Sequence, residues 1–181
     1  IYERTSDGRP LRATPTATER GELLQRWYQP HHERLQRAVE ECLENTGRCL
    51  IVDLHSYAPY LQPHEVRRTA QRPHLCIGSD PFHTPRDLVD RLTDVFTGAG
   101  FTTAENEPYA GTLVPMAFSQ RDPRVHSVML EIRKDCYVSC ATRRTRLMSA
   151  HRRLSSSPRR MALSAATTTN GLIQIFRVPA G

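Results

Sequence analysis

Apolar positions in this chain follow two periods. Leu23, Leu24, Trp27 and Tyr28, then Leu35, Val39, Cys42 and Leu43, recur three or four residues apart. That spacing predicts helix over 18–27 and 30–45, with Pro30 kinking or restarting it and Gly47 ending it. Leu50, Ile51 and Val52 instead form a continuous apolar run inside 49–57, CLIVDLHSY, which suits a buried central strand. A second such run, HLCIG, covers 74–78. Thr84 as N-cap, Pro85 at the first helical position and Asp87 in the first turn then open a helix. Its inward stripe is Leu88, Leu92, Val95 and Phe96, and Gly98 and Gly100 close it. A third strand starts over 101–104. Over 125–134, Val128, Leu130 and Ile132 alternate with Met129, Glu131 and Arg133, the period of a fourth strand. The strand–helix–strand order from 74 to 104 predicts a right-handed crossover and parallel neighbours. Stretches 1–17, 58–72 and 105–122 carry Pro, Gly and charge without a period and read as loops. The elements suit an α/β chain with a parallel or mixed central sheet flanked by helices.

The chain has 181 residues, enough for one real core. Its net charge of +6 is unevenly placed. Residues 138–181 hold eight arginines and no Asp, Glu or Lys, which leaves 17 basic and 19 acidic residues in 1–137. The body is therefore mildly acidic, and nucleic acid is not the partner that its charge selects. This divides the chain into a body, 1–137, and a basic, poorly structured tail, 138–181. A frameshift in a GC-rich coding sequence would produce such an abrupt loss of acids; a naturally basic, disordered tail is the alternative. No apolar run approaches the ~20 residues that span a bilayer. The chain opens on Ile1, so a signal segment upstream stays open. Five cysteines at irregular spacing do not make a disulfide framework; Cys49 and Cys76 read as buried thiols in a reducing cytoplasm.

The candidate chemistry sits at strand ends. Asp53 and His55 are two apart, so they share a face of their strand, near the carboxyl end where α/β ligand crevices form. They can bind a metal, one can orient the other, or both can be solvated. Glu131 lies within an apolar strand, where a carboxylate is rare unless paired, metal-bound or catalytic; an ion pair with Arg133 is the simpler reading. In ENEPYAGT, Asn106, Tyr109 and Gly111 have the makings of a binding loop, or of a surface turn.

Taken in order, YQPHH, IVDLHSY, HLCIGSD, ENEPYAGT and VMLEIRKDCY resemble the N-formylglutamate amidohydrolase family, over roughly 27–137. That family is related to zinc carboxypeptidases. The resemblance implies an α/β, zinc-carboxypeptidase-like fold with a mixed, mainly parallel central sheet flanked by helices, one zinc, and hydrolysis of a formamide or similar amide in a small N-acyl amino acid, within histidine degradation. It implies His55 as a zinc ligand and Glu131 as the group that activates water. Asn106, Tyr109 and Arg133 would lie on the substrate side, with Asp53 and Ser56 supporting. Two further family ligands, a histidine and an acid, and an Asn-Arg segment are expected upstream of DLHS, and nothing upstream of Trp27 has that form. The chain is thus expected to be truncated at its N-terminus, with zinc weak or absent and hydrolysis impaired. His31, His32, His64, His74, His83 and Asp53 are the substitutes at hand. The alternative function is a non-catalytic binding module whose arginine-rich tail contacts phosphates.

Overall fold

A computed structural model describes residues 2–5, 8–62, 65, 72–137, 165–167 and 173–177. The first helix, α1, spans Ala17–Leu23. It starts at a capping box: Thr16 Oγ1 accepts from the Glu19 amide at 3.2 Å, and the Thr16 amide donates to Glu19 Oε2 at 2.8 Å. One π-helical turn, Leu24–Tyr28, joins it to α2, Gln29–Thr46. The α-helix restarts at Gln29 with Pro30 in its first turn, where a missing N–H costs no intrahelical bond, as the sequence predicts, and the backbone between α1 and α2 stays helical. Gly47 ends α2 in the left-handed region, φ 72°, as expected of a helix C-terminus.

Strand β1 is Cys49–Tyr57, β2 Leu75–Gly78, β3 Thr103–Glu105 and β4 Val125–Arg133. Helix α3, Arg86–Gly98, connects β2 to β3. Of the residues after 137, Ala165–Thr167 form β5 and Ile173–Arg177 form β6. The six strands make one sheet in the order β3-β2-β4-β1-β6-β5. Among β1 to β4, the pairs β1/β4 and β2/β3 are parallel and β2/β4 is antiparallel; β6 runs antiparallel to both β1 and β5. The sheet is mixed, and the β2–α3–β3 unit has the parallel neighbours that its element order predicts.

The two faces bury different side chains. Leu35, Val39 and Cys42 of α2 pack on Cys49, Ile51, Val125 and Ile175. On the other face Val89 of α3 packs on Leu50, Leu75, Ile77, Val128 and Leu130. Leu88, Leu92 and Phe96 pack inward as the sequence reading has them, but Val89 is the buried centre of the stripe and Val95 is 41% exposed. Thr84 is also not the cap. Its hydroxyl donates to the Ser127 carbonyl at 2.6 Å and accepts from the Asp80 amide at 2.8 Å, fixing a turn, while Pro85 holds the N-cap position.

Ile175 is fully buried against β1 and α2. Ile175→Ala is expected to cost about 2–3 kcal/mol. A denaturant midpoint unchanged by this substitution would show that β6 is not part of the core. The arginines from Arg143 to Arg160 lie outside the described residues, and with them most of the basic tail.

Candidate active site

The parallel register of β1 and β4 sets His55 opposite Glu131 and Asp53 opposite Met129. Antiparallel β2 sets Cys76 opposite Glu131 from the other side. Cys76, Glu131 and His55 thus form a row across three strands on the face that α2 covers. The cover is used up before this row: the β1 residues in that core are Cys49 and Ile51, at the start of the strand. The row therefore lies where the apolar packing stops.

Glu131 Oε2 is buried and has no hydrogen-bond partner among the described residues. Burial pushes the Glu131 carboxyl above its ordinary range; the His55 charge opposes this, Asp53 adds to it, and Lys134 opposes it. A carboxyl held this way is a stronger base than one in water. Beside it, His55 Nε2 meets Asp53 Oδ1 at 2.9 Å, with Asp53 buried and the imidazole 44% exposed. The buried carboxylate fixes the ring. A proton on Nε2 toward Asp53 leaves Nδ1 as the lone-pair nitrogen.

A cleft of about 650 Å³ opens at this end of β1 and β4, with Ser56, Tyr57, Tyr109, Glu131 and Lys134 in its walls. One wall is held by a buried ion pair. Arg72 donates to Glu65 through Nη1 at 2.6 Å and Nη2 at 2.9 Å, and the Tyr109 hydroxyl donates to Glu65 Oε1 at 2.6 Å. The Arg72 hydrogen bond holds the Glu65 carboxyl below its usual range. Burial, then the bond to Glu65, pushes the Tyr109 phenol up to about 12. Arg72 also lies over the Tyr57 ring, 4.9 Å from its centre, and the Tyr57 hydroxyl donates to the Pro73 carbonyl.

Of the other residues singled out from the sequence, Ser56 and Tyr109 line this cleft and Asn106 does not. Asn106 pins its loop to the end of β2: Oδ1 accepts from the Ser79 amide at 2.9 Å and the Gly111 amide at 3.2 Å, and Nδ2 donates to Ser79 Oγ at 2.8 Å. Arg133 pairs with Asp135 at 2.7 Å and donates to the Arg72 carbonyl, not to Glu131.

The substitute histidines do not converge on His55. His83 is engaged at both ring nitrogens, Nδ1 with the Val125 carbonyl at 2.7 Å and Nε2 with the Gln120 amide at 2.8 Å. His74 Nδ1 accepts from the Thr102 amide at 3.0 Å. His32 lies against the Tyr28 ring, and His31 meets His32 edge-on. His64 lies outside the described residues. Among the described residues no group of three or more His, Cys, Asp or Glu side chains is placed to hold a metal ion. A catalytic zinc takes three protein ligands, so these residues do not by themselves fit one, although Glu131 Oε2 is left without a partner beside His55.

Sequence reasoning passes over Glu65, Arg72 and Lys134. Glu65 and Arg72 look like solvated charges in a loop. Lys134 carries a visible signal, because it is the chain's single lysine.

Residues 1–138 match the family model for N-formylglutamate amidohydrolase. Among solved structures, the chain is similar to N-formylglutamate amidohydrolase from Ralstonia eutropha, with TM-score 0.67 and 22% identity over 83% of this chain and 58% of that one. It is also similar to a gene product from Agrobacterium tumefaciens, with TM-score 0.56 and 18% identity over 85% of this chain and 57% of that one. The chain thus spans a little under three fifths of the structures it matches. Among curated proteins none matches it.

Proposed function

The chain belongs to the N-formylglutamate amidohydrolase family, and from that premise we propose that its cleft hydrolyses the C–N bond of a formamide or similar amide in a small N-acyl amino acid. The observation that carries this reading is His55 opposite Glu131, with one Glu131 oxygen buried and unpartnered among the described residues. Glu131 takes a proton from a water in the cleft as the water oxygen attacks the acyl carbon. It then gives that proton to the leaving nitrogen as the C–N bond breaks, releasing formate and the free amine. Asp53 fixes the His55 ring at the position across from Glu131 on the neighbouring strand. N-formylglutamate is the substrate we propose and the cytoplasm the compartment; among the described residues no helix is long and apolar enough to cross a membrane.

Zinc is the cofactor that the family implies. The described residues lack a three-ligand set, so hydrolysis by this chain is proposed to be weak and its zinc to be lost on dialysis. The assay is release of formate from N-formylglutamate, alongside metal content. Glu131→Gln should lower the rate by roughly 10²–10⁴. A Glu131→Gln variant as active as the parent chain would sink the assignment, and stoichiometric zinc with fast turnover would sink the proposed impairment.

Glu131→Gln has a second readout that needs no activity. A carboxyl whose folded pKa is raised contributes stability that is full below its unfolded pKa and is lost as pH rises through the folded value. Removing the ionisable group should therefore stabilise the fold by about 1 kcal/mol at pH 7, discounted for partial exposure, and by little at pH 4. Equal effects at both pH values would mean that the Glu131 carboxyl is solvated.

A further inference from the structure

We propose that Lys134 is the specificity-determining residue of the cleft, its ammonium receiving a free carboxylate of an N-acyl amino acid whose amide lies at Glu131. This deepens the hydrolase reading and rests on it. Three cations border the cleft region, and two are already neutralised. Arg72 is bound in two places to Glu65, and Arg133 is paired with Asp135. The Lys134 side chain forms no ion pair or hydrogen bond among the described residues; its charge is felt at Glu131. It is exposed, and it lines the cleft together with Glu131 and Tyr109.

Position strengthens the case. Lys134 opens the 3-10 turn Lys134–Cys136 that follows β4, three residues beyond Glu131. Three residues of chain reach at most about 10 Å, a gap that the long lysine stem and a bound N-acyl amino acid can bridge together. A substrate anchored at Lys134 can therefore lay its amide beside Glu131. An ammonium on a flexible stem accepts a carboxylate from several directions, which suits an open cleft better than a fixed guanidinium fork would. The negative groups facing this lysine are Glu131 and Asp135, and Asp135 is offset by Arg133.

Because Lys134 is the only lysine, acylation by acetic anhydride followed by mass spectrometry reads this one side chain apart from the terminal amine. N-formylglutamate should slow Lys134 acylation several-fold, and its diamide, with both carboxylates blocked, should not. Lys134→Gln should weaken N-formylglutamate binding about tenfold, and Lys134→Arg should restore most of the loss. Equal acylation with and without N-formylglutamate, or unchanged binding by Lys134→Gln, overturns the proposal. Protection of Lys134 without formate release upholds the anchor and fails the hydrolase. Formate release with an unchanged KM in Lys134→Gln does the reverse.

Discussion

Glu65→Ala is expected to destabilise the protein by about 3–5 kcal/mol, more than the Ile175→Ala truncation in the apolar core. The Glu65 and Arg72 side chains are only 2% and 6% exposed. Arg72 spends Nη1 and Nη2 on Glu65, Nε on the Ala58 carbonyl at 3.1 Å, and its flat face on Tyr57. Removing the carboxylate leaves a guanidinium buried without its counter-charge, and leaves the Tyr109 hydroxyl without its acceptor. The favourable part of the pair is geometric and small, whereas the penalty for breaking it is large. Replacing both residues together, Glu65→Leu with Arg72→Met, should therefore cost far less than Glu65→Ala alone. The effect should depend on pH with a definite sign. Glu65 has a lowered folded pKa, so its contribution is full above its unfolded pKa and is lost as pH falls through the folded value. Urea titrations at neutral and acid pH test this. A loss below 1 kcal/mol at pH 7, or a loss that grows in acid, would show that water reaches the pair.

Gly78→Ala is the second large effect, at roughly 3 kcal/mol or more. A Cβ on Gly78 would collide with the Gly111 carbonyl oxygen and lie 2.5 Å from Met129 Cε and 3.0 Å from Met129 Cβ. The methionine tip can swing away. The carbonyl cannot, because Gly111 sits at φ 85° in a loop that Asn106 holds at both ends. That loop carries Tyr109, so the damage should reach the cleft: the Tyr109–Glu65 bond should loosen along with the sheet. In the Gly78→Ala background, Tyr109→Phe should accordingly cost less than it does in the parent protein. A Gly78→Ala variant with the parent's midpoint would mean that 106–111 moves freely.

Which of these features the sequence could reveal follows from how local each one is. CLIVDLHSY reads as a central strand because an unbroken apolar run leaves few other solutions, and Glu131 stands out because it interrupts an alternation. Both signals lie within nine residues, and together they locate the end of the sheet where the cleft opens. The pairing of Glu65 with Arg72 has no local signal, since charges seven residues apart in a loop usually face water. The restart at Pro30 was legible, but the helical turn that links α1 to α2 was not, because a π turn has no residue signature. Thr84 had the right chemistry for a cap, and the carbonyl of Ser127, 43 residues away, took its hydroxyl instead. Arg133 looked available for a substrate because its partner Asp135 lies just beyond the strand, where the alternating pattern has ended.

The place of β1 in the sheet also sets a timetable for synthesis. One neighbour, β4, begins 76 residues after β1 begins, and the other, β6, pairs Ile173 with Asp53, 120 positions later in the chain. At roughly 5–20 residues per second, the strand with the chain's longest apolar run waits on the order of ten seconds with one hydrogen-bonding edge open. Pairings this distant are slow to close, and an open apolar edge is a template for other chains. Yield on overexpression should therefore respond more to slowed translation or added holdase than to changes in the cleft.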